Sequence, residues 1–437
     1  MSVCVRDAIR QYFLTPCSTP IRLGGVTVRA PSDVKGNDTL QSIVQMVLDV
    51  VKSKKVGDVS SDPAVITDNW LLSVPKGLLH SEELVVNYLG MLVAIDFQHW
   101  CELDTPGRER THVGQTVETY AGFYVAVAAD SKERYVEDIP CERKLIRGSA
   151  AMIHLLKEAV EQHDVRWYDM AYLLSLGEDP QVVKDKLAIC FQGCAEDGKT
   201  PLWMPETLAR VDILMTLARN FSERKTSFHG ILRHSEGYLF EEESGFIPQL
   251  VNLHPRYRDY AVLEDTTRVP VLKLSQLTAL SLEQALMAYW RWRSATDGTS
   301  PSERKEKSFL AVAEKEAVSG TAGTTLFKDI HRLSICCDYQ IPKVLRAAGL
   351  LEYSPTLAQS IDNRVLLGER SSEESSIRVA TLIAAELLAE GVAQTWNETH
   401  TDAVSTDVVY ACLDFPLWYI GRSMKTAEHH LCHTIMY

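Results

Sequence analysis

Apolar residues recur at three- and four-residue spacing along most of this chain. The pattern is clearest over residues 39–53 (TLQSIVQMVLDVVKS), 149–161, 206–220, 275–294, 340–350 and 375–394. Such spacing gathers apolar side chains on one face of a helix. Met1 to Leu14 sets Arg6, Asp7 and Arg10 among apolar residues and reads as a short amphipathic helix. Residues 83–100 (ELVVNYLGMLVAIDFQHW) are apolar nearly all round, the signature of a buried helix. Period-two alternation is confined to Ile21 to Val28 and Val269 to Leu274, and Pro270 restricts the second to a sheet edge or a strand start. The pattern predicts a mainly α protein, a single compact multi-helix domain over residues 1–437 with room for one small β-hairpin. Polar stretches at 53–63, 102–118 and 297–307 read as loop insertions, and Ser319 to Thr325 (SGTAGTT) as a flexible approach to residues 327–342.

Composition narrows the function classes. A chain of 437 residues with 46% hydrophobic and 24% charged positions has ordinary globular composition and length for a large core. Its net charge of −13 argues against a broadly basic nucleic-acid surface, although a local cationic pocket for one phosphate remains compatible with it. A free nucleotide is therefore the expected partner, rather than intact nucleic acid or a membrane. No apolar run reaches transmembrane length and the N-terminus has no signal-peptide pattern. Ten cysteines at irregular spacing fit reduced thiols in the cytoplasm. Neither Cys190 with Cys194 nor Cys336 with Cys337 has partners at metal-ligand spacing, so no metal or other cofactor is expected.

One motif is misleading. Gly193 to Thr200 (GCAEDGKT) matches the phosphate-loop pattern letter for letter. A working phosphate loop needs free backbone N–H groups and no competing negative charge. Pro201 removes a donor, Glu196 and Asp197 place two carboxylates where phosphates would sit, and no βαβ pattern surrounds the loop.

The most informative stretch is Cys336-Cys337-Asp338-Tyr339-Gln340-Ile341-Pro342-Lys343. Pro342 suits the first turn of a helix and Gly349 its end, so a short helix over about 342–348 is predicted. Asp338 lies in the turn feeding it, within an apolar run. An acid there either caps the turn or reaches into a pocket. Asp96-Phe97-Gln98-His99-Trp100 places an acid beside two aromatic rings, and Leu413-Asp414-Phe415-Pro416-Leu417-Trp418 repeats the combination near the C-terminus. In both blocks the aromatics also suit a plain core and the acids a plain cap or ion pair.

Together these blocks resemble the queuosine 5′-phosphate N-glycosylases, the queuosine salvage family. Phe327-Lys328-Asp329-Ile330 followed by Asp338-Tyr339-Gln340-Ile341-Pro342 is similar to that family's central motif, including an aspartate nine residues upstream. Thr119-Tyr120-x-Gly122, Tyr257-Arg258-Asp259, the 413–418 block and the closing His430-x3-Thr434-Ile435-x-Tyr437 resemble further family segments in the same order. The family-like body runs from residue 83 to 437, and residues 1–80 match poorly, with His80 a weak stand-in for the family's pocket histidine.

The resemblance implies a DNA-glycosylase-like helical architecture and hydrolysis of the N-glycosidic bond of queuosine 5′-monophosphate, giving queuine and ribose 5-phosphate. It implies Asp338 as the catalytic acid, acting as a nucleophile or as an electrostatic stabiliser. Asp414, Asp329, Tyr339, Cys336, Asp96, Phe97, Trp100 and Trp418 become substrate-binding candidates. Arg258 and His430, with Lys343 and Lys425 beside them, become candidates for the phosphate. Four positions depart from the family pattern. Asp96 stands for the usual Asn, His99 for Phe and Cys336 for Phe, and Tyr419 follows Trp418 where an acid is common. The departures keep open a non-catalytic deazapurine-binding or interaction protein, and a ribohydrolase of another base.

Overall fold

A computed structural model describes residues 4–15, 19–56, 70–103, 110–129, 135–137, 143–297, 309–319 and 325–437. The anticipated insertions at 53–63 and 297–307 and the approach segment 319–325 fall largely outside these residues.

Helix Ser372–Thr399, 28 residues long, is the axis of the molecule. Ser371 caps it by accepting the Glu374 N–H at 3.2 Å, and residues 374–389 are buried on every side. A helix apolar all round cannot face water and has to be enclosed by other elements. Helices Val5–Phe13, Asp38–Val56, Gln340–Ala347 and Thr406–Tyr410 enclose it. Helix Lys273–Asp297 packs against Glu82–Ala94, Phe246–Leu253 and Phe309–Ser319. One buried apolar cluster runs from Cys4 to Leu417 through both groups. Among the described residues no helix is long and apolar enough to cross a membrane.

The helical periodicity placed the helices well. The 340–350 pattern is helix Gln340–Ala347, ended by Gly349 at φ +74°, a conformation glycine adopts without a Cβ penalty. Two expectations need correction. The helix expected over 83–100 stops at Ala94. Gln98 then takes φ +32° and the chain leaves as strand Trp100–Glu102, because buried Arg210 ties up the carbonyls of the turn. The strand expected over Val269 to Leu274 is only Arg268–Pro270, at the edge of a two-stranded sheet with Tyr260–Val262. Leu272 at φ +50° redirects the chain, and Lys273 already belongs to the long helix.

More β structure is present than one hairpin. Ile21–Leu23 and Val26–Val28 do form a hairpin, to which Leu351–Tyr353 adds a third strand. A five-stranded antiparallel sheet has the order Val136–Glu137, Lys144–Arg147, Tyr124–Val127, Gln192–Cys194, Pro201–Trp203. Its strands are two to four residues long, too short for alternation to register against noise. Residues 110–118 are mostly exposed, as a loop insertion should be, and are tied to the body by Gly114 and Val117 N–H groups donating to the Leu366 and Arg364 carbonyls and by a bridge from Thr116 to Val365.

The false phosphate loop is the turn between the last two of those strands. Asp197 Oδ1 accepts the Lys199 and Thr200 N–H groups at 2.8 Å each, and Thr200 Oγ1 donates to Oδ2 at 2.5 Å. The donors a phosphate would need are already taken.

Arg378, on the axial helix, makes a bidentate pair with Asp259 at 2.7 Å on both arms, with both side chains almost fully buried. Removing one member of such a pair strands the other charge in the core. Asp259→Ala is expected to lower unfolding free energy by about 3–5 kcal/mol, measured by urea denaturation.

Candidate active site

A cavity of about 840 Å³ opens between the five-stranded sheet, the 96–100 turn and the C-terminal segment 414–437. It has the volume of a site for a nucleotide-sized ligand. Asp338, Tyr339, Cys336, Asp414, Asp96, Phe97, Trp100 and Trp418 all line it. These residues come from three distant parts of the chain.

Asp338 is both a capping acid and a pocket acid. Its Oδ1 accepts the N–H groups of Gln340 and Ile341 at 2.7 and 3.2 Å, at the start of helix Gln340–Ala347. Among the described residues Oδ2 accepts no hydrogen bond and no cation closes an ion pair on the carboxylate. Burial pushes its pKa above the ordinary carboxylate range, while Lys273 and the two N–H groups pull the other way. Asp414 accepts the Cys336 N–H at 2.5 Å, so the two acids bracket the same three residues of backbone. Burial, reinforced by Asp414, raises the Cys336 thiol well above its usual value and keeps it a neutral wall.

The opposite wall is the turn after helix Glu82–Ala94. Arg210, fully buried, donates to the carbonyls of Ile95, Phe97 and Gln98 and to that of Pro205, which fixes the turn by its backbone. Phe97 lines the cavity with the guanidinium groups of Arg210 and Arg256 over its ring at 4.2 and 4.5 Å. Asp96 Oδ1 pairs with His99 Nε2 at 2.8 Å and Oδ2 lies 3.6 Å from Lys273 Nζ. Despite burial, Lys273 and His99 hold the Asp96 carboxyl far below the ordinary range. Trp100, Tyr120, His429 and Tyr339 form an aromatic side: Trp100 and Tyr120 stack at 6.2 Å, and Tyr339 and His429 lie 4.4 Å apart. Burial lowers His429 to about 4, so it is neutral and accepts from Tyr120 Oη at 3.2 Å.

Three expected site residues are elsewhere. Asp329 does not line the cavity. Its two carboxylate oxygens accept the N–H groups of Leu239 and Phe240 at 2.7 and 3.2 Å, which makes it a latch between chain segments. Arg258 is exposed, away from the cavity, with Nε on the Val251 carbonyl at 3.0 Å. His430 lies behind the wall with Nε2 3.1 Å from Tyr437 Oη, and burial lowers it to about 3, so it carries no positive charge for a phosphate. His80 is also outside, bonded to the Gly77 carbonyl at 2.7 Å.

The cations at the cavity are Lys273, Arg147, Lys343, Arg364, Arg422 and Lys425, together with Lys157 at its rim. Arg147 ends strand Lys144–Arg147, and Gly148 (φ +65°) turns the chain into helix Ser149–His163. Arg147 and Arg422 share Glu137, at 3.6 and 2.9 Å. Arg364 is paired with Glu428 at 2.7 Å. Lys343 donates to the Met424 carbonyl at 3.2 Å. An Arg-Gly-Ser run between a strand and a helix was the available signal for Arg147; Lys273 was hidden by the strand reading of its segment.

Residues 306–437 match the family model of the queuosine salvage protein. Over this stretch the chain is similar to the queuosine salvage proteins. It is 31% identical over 117 residues to the queuosine 5′-phosphate N-glycosylase/hydrolase of Dictyostelium discoideum, an alignment covering 26% of this chain and 34% of that one. The protein of the same name from Sphaerobacter thermophilus is 23% identical over 357 residues, 81% of this chain and 82% of that relative. The Mus musculus protein of that name is 26% identical over 132 residues, 29% and 38% of the two chains. The matched stretch thus spans about a third of the slime-mould and mouse relatives. The matched region 306–437 contributes Asp338, Asp414, Trp418 and Lys343 to the cavity, and residues before it contribute Asp96, Arg147 and Lys273.

Burial lowers Lys343 to about 8, with Arg147 adding to the shift. The cavity therefore loses a positive charge as pH rises through that value. Calorimetric titration with inorganic phosphate is expected to show affinity falling as pH rises through about 8, and Lys343→Met is expected to give weaker binding without that fall.

Proposed function

We propose that the protein hydrolyses the N-glycosidic bond of queuosine 5′-phosphate, releasing queuine and ribose 5-phosphate. The observation that carries this reading is the Asp338 carboxylate, anchored through Oδ1 to two backbone N–H groups while its side chain lines a nucleotide-sized cavity. In the reaction the bond from the anomeric carbon to the base nitrogen breaks and its electron pair leaves with the base. The oxygen of water bonds to the sugar carbon, and the water's proton balances the charge on the base. The sugar passes through an oxocarbenium-like state, which a carboxylate beside the anomeric carbon stabilises, as a nucleophile or by charge alone. Either role requires ionised Asp338.

Queuine is a 7-deazaguanine and has no N7 to protonate, so help for the leaving base has to come through its pyrimidine edge. Asp414 is the acceptor that recognises that edge, since a carboxylate accepts parallel N–H donors in pairs, while the proton for the departing base comes from the water. Tyr339, Trp100 and Trp418 offer ring surface, and Cys336 a neutral wall. The phosphate is assigned to Arg147, Lys343, Arg422 and Lys425, replacing Arg258 and His430. Glu137 offsets part of this charge through its pairs with Arg147 and Arg422.

The linkage sign for Asp338 is definite. A carboxyl whose folded pKa lies above its unfolded one holds more protons folded than unfolded in that window. Stability is lost as pH rises through it, and the ionised form costs stability at neutral pH. Asp338→Asn keeps an oxygen for the Gln340 and Ile341 N–H groups and removes the buried charge. Base release from queuosine 5′-phosphate, followed by chromatography, is expected to fall by at least about a thousandfold in this variant, with a melting temperature equal to or above the parent's. Release at the parent rate would rule out the assignment.

A further inference from the structure

His99 stands in the same cavity as Asp338 and Asp414, and one of its two nitrogens is unaccounted for. Nε2 lies 2.8 Å from Asp96 Oδ1. That carboxylate accepts only, so Nε2 carries the proton and donates. Lys273, 3.6 Å from Asp96 Oδ2 and donating to the Asp96 carbonyl at 3.0 Å, holds the acid charged and in place. The tautomer is thereby fixed, and Nδ1 is left as a lone-pair acceptor. Nδ1 is buried and has no hydrogen-bond partner among the described residues. A buried acceptor without a donor is unfavourable and is uncommon in folded proteins.

The backbone around His99 leaves the side chain little freedom to escape this. Arg210 holds the carbonyls of Phe97 and Gln98 on one side, and the Gln98 N–H donates to the Tyr437 carbonyl at 3.0 Å on the other. Gly148 faces the imidazole: a Cβ there would stand 3.6 Å from His99 Cβ and 4.0 Å from Cγ. The ring is seated with one polar edge satisfied and the other waiting for a donor.

We propose that His99 is a specificity-determining residue, whose Nδ1 accepts a hydrogen bond from an N–H or O–H donor of the bound nucleotide. The inference rests on the glycosidase reading for the identity of the ligand, not for the geometry. Burial lowers the His99 pKa, which keeps the ring neutral and the acceptor available at physiological pH. A nucleotide that presents an acceptor or a bare C–H at this point leaves Nδ1 unpaired and is disfavoured.

Two substitutions separate the acceptor from the tie to Asp96. In His99→Asn the amide oxygen can take the place of Nδ1 while the bond to Asp96 is lost. In His99→Gln the amide nitrogen reaches the Nε2 position and keeps Asp96, while Nδ1 is lost. Both are made in the Asp338→Asn protein, so that bound queuosine 5′-phosphate is not turned over, and dissociation constants are measured by calorimetry beside melting temperatures. We expect His99→Gln to weaken binding about tenfold, the scale of one hydrogen bond, and His99→Asn to stay within about threefold of the parent. Equal binding by parent and His99→Gln overturns the proposal, as does a loss confined to His99→Asn, which would make the Asp96 tie the only role. No binding by the parent overturns it too. Base release by the unaltered protein, assayed in parallel, tests the glycosidase reading separately. A Gln-specific loss of binding without release would leave the His99 assignment standing and remove the chemistry.

Discussion

The active-site geometry depends on how an irregular segment is held inside a helical protein. Residues 326–341 cross the core largely without regular structure, and buried backbone N–H groups there need acceptors. Side chains supply them. Glu283 takes the N–H groups of Leu326 and Phe327, Gln276 that of Ser334, Tyr410 Oη that of Ile335 and Asp414 that of Cys336. Asp338 takes those of Gln340 and Ile341. Asp329 works outward from the same segment, fixing Leu239 and Phe240. Acids that looked like a catalytic set in the sequence are therefore first of all a backbone scaffold. Asp338 and Asp414 combine that task with a place on the cavity wall.

The scaffold extends to the N-terminal helix. Arg6, almost fully buried, pairs with Glu386 at 2.6 Å, donates to the His331 carbonyl at 2.5 Å and stands 3.8 Å from the centre of the Tyr410 ring. Tyr410 in turn contacts Ser334 and Ile335. Several buried charges thus converge behind the 326–341 segment, each satisfied by a partner rather than by water. Such pairs contribute little net stability over an apolar core but are costly to break singly, which suits a site whose position has to be unique.

Much of this was legible in the sequence, for identifiable reasons. Long helices carry enough repeats for the 3.6-residue period to stand out, and Pro342 and Gly349 bracketed the short helix after Asp338. Eight of the expected pocket residues do line one cavity, because short-range blocks of acid and aromatic residues survive folding as blocks. What failed was long-range. The phosphate candidates Arg258 and His430 were chosen by proximity to motifs, and burial decides otherwise: one faces solvent and the other is neutral in the core. Arg147, Lys273 and Arg422 reach the cavity only through tertiary packing of sheet and helices, and two- to four-residue strands left no periodic trace. The turn at Gln98 is set by Arg210, more than a hundred positions away.

A crystal structure of the Asp338→Asn protein with queuosine 5′-phosphate bound tests the central claim most directly. The account predicts the anomeric carbon within about 3.5 Å of the side chain at position 338, the base edge at Asp414 and the phosphate among Arg147, Lys343 and Arg422. A ligand seated with its sugar away from position 338, or outside this cavity altogether, would contradict it.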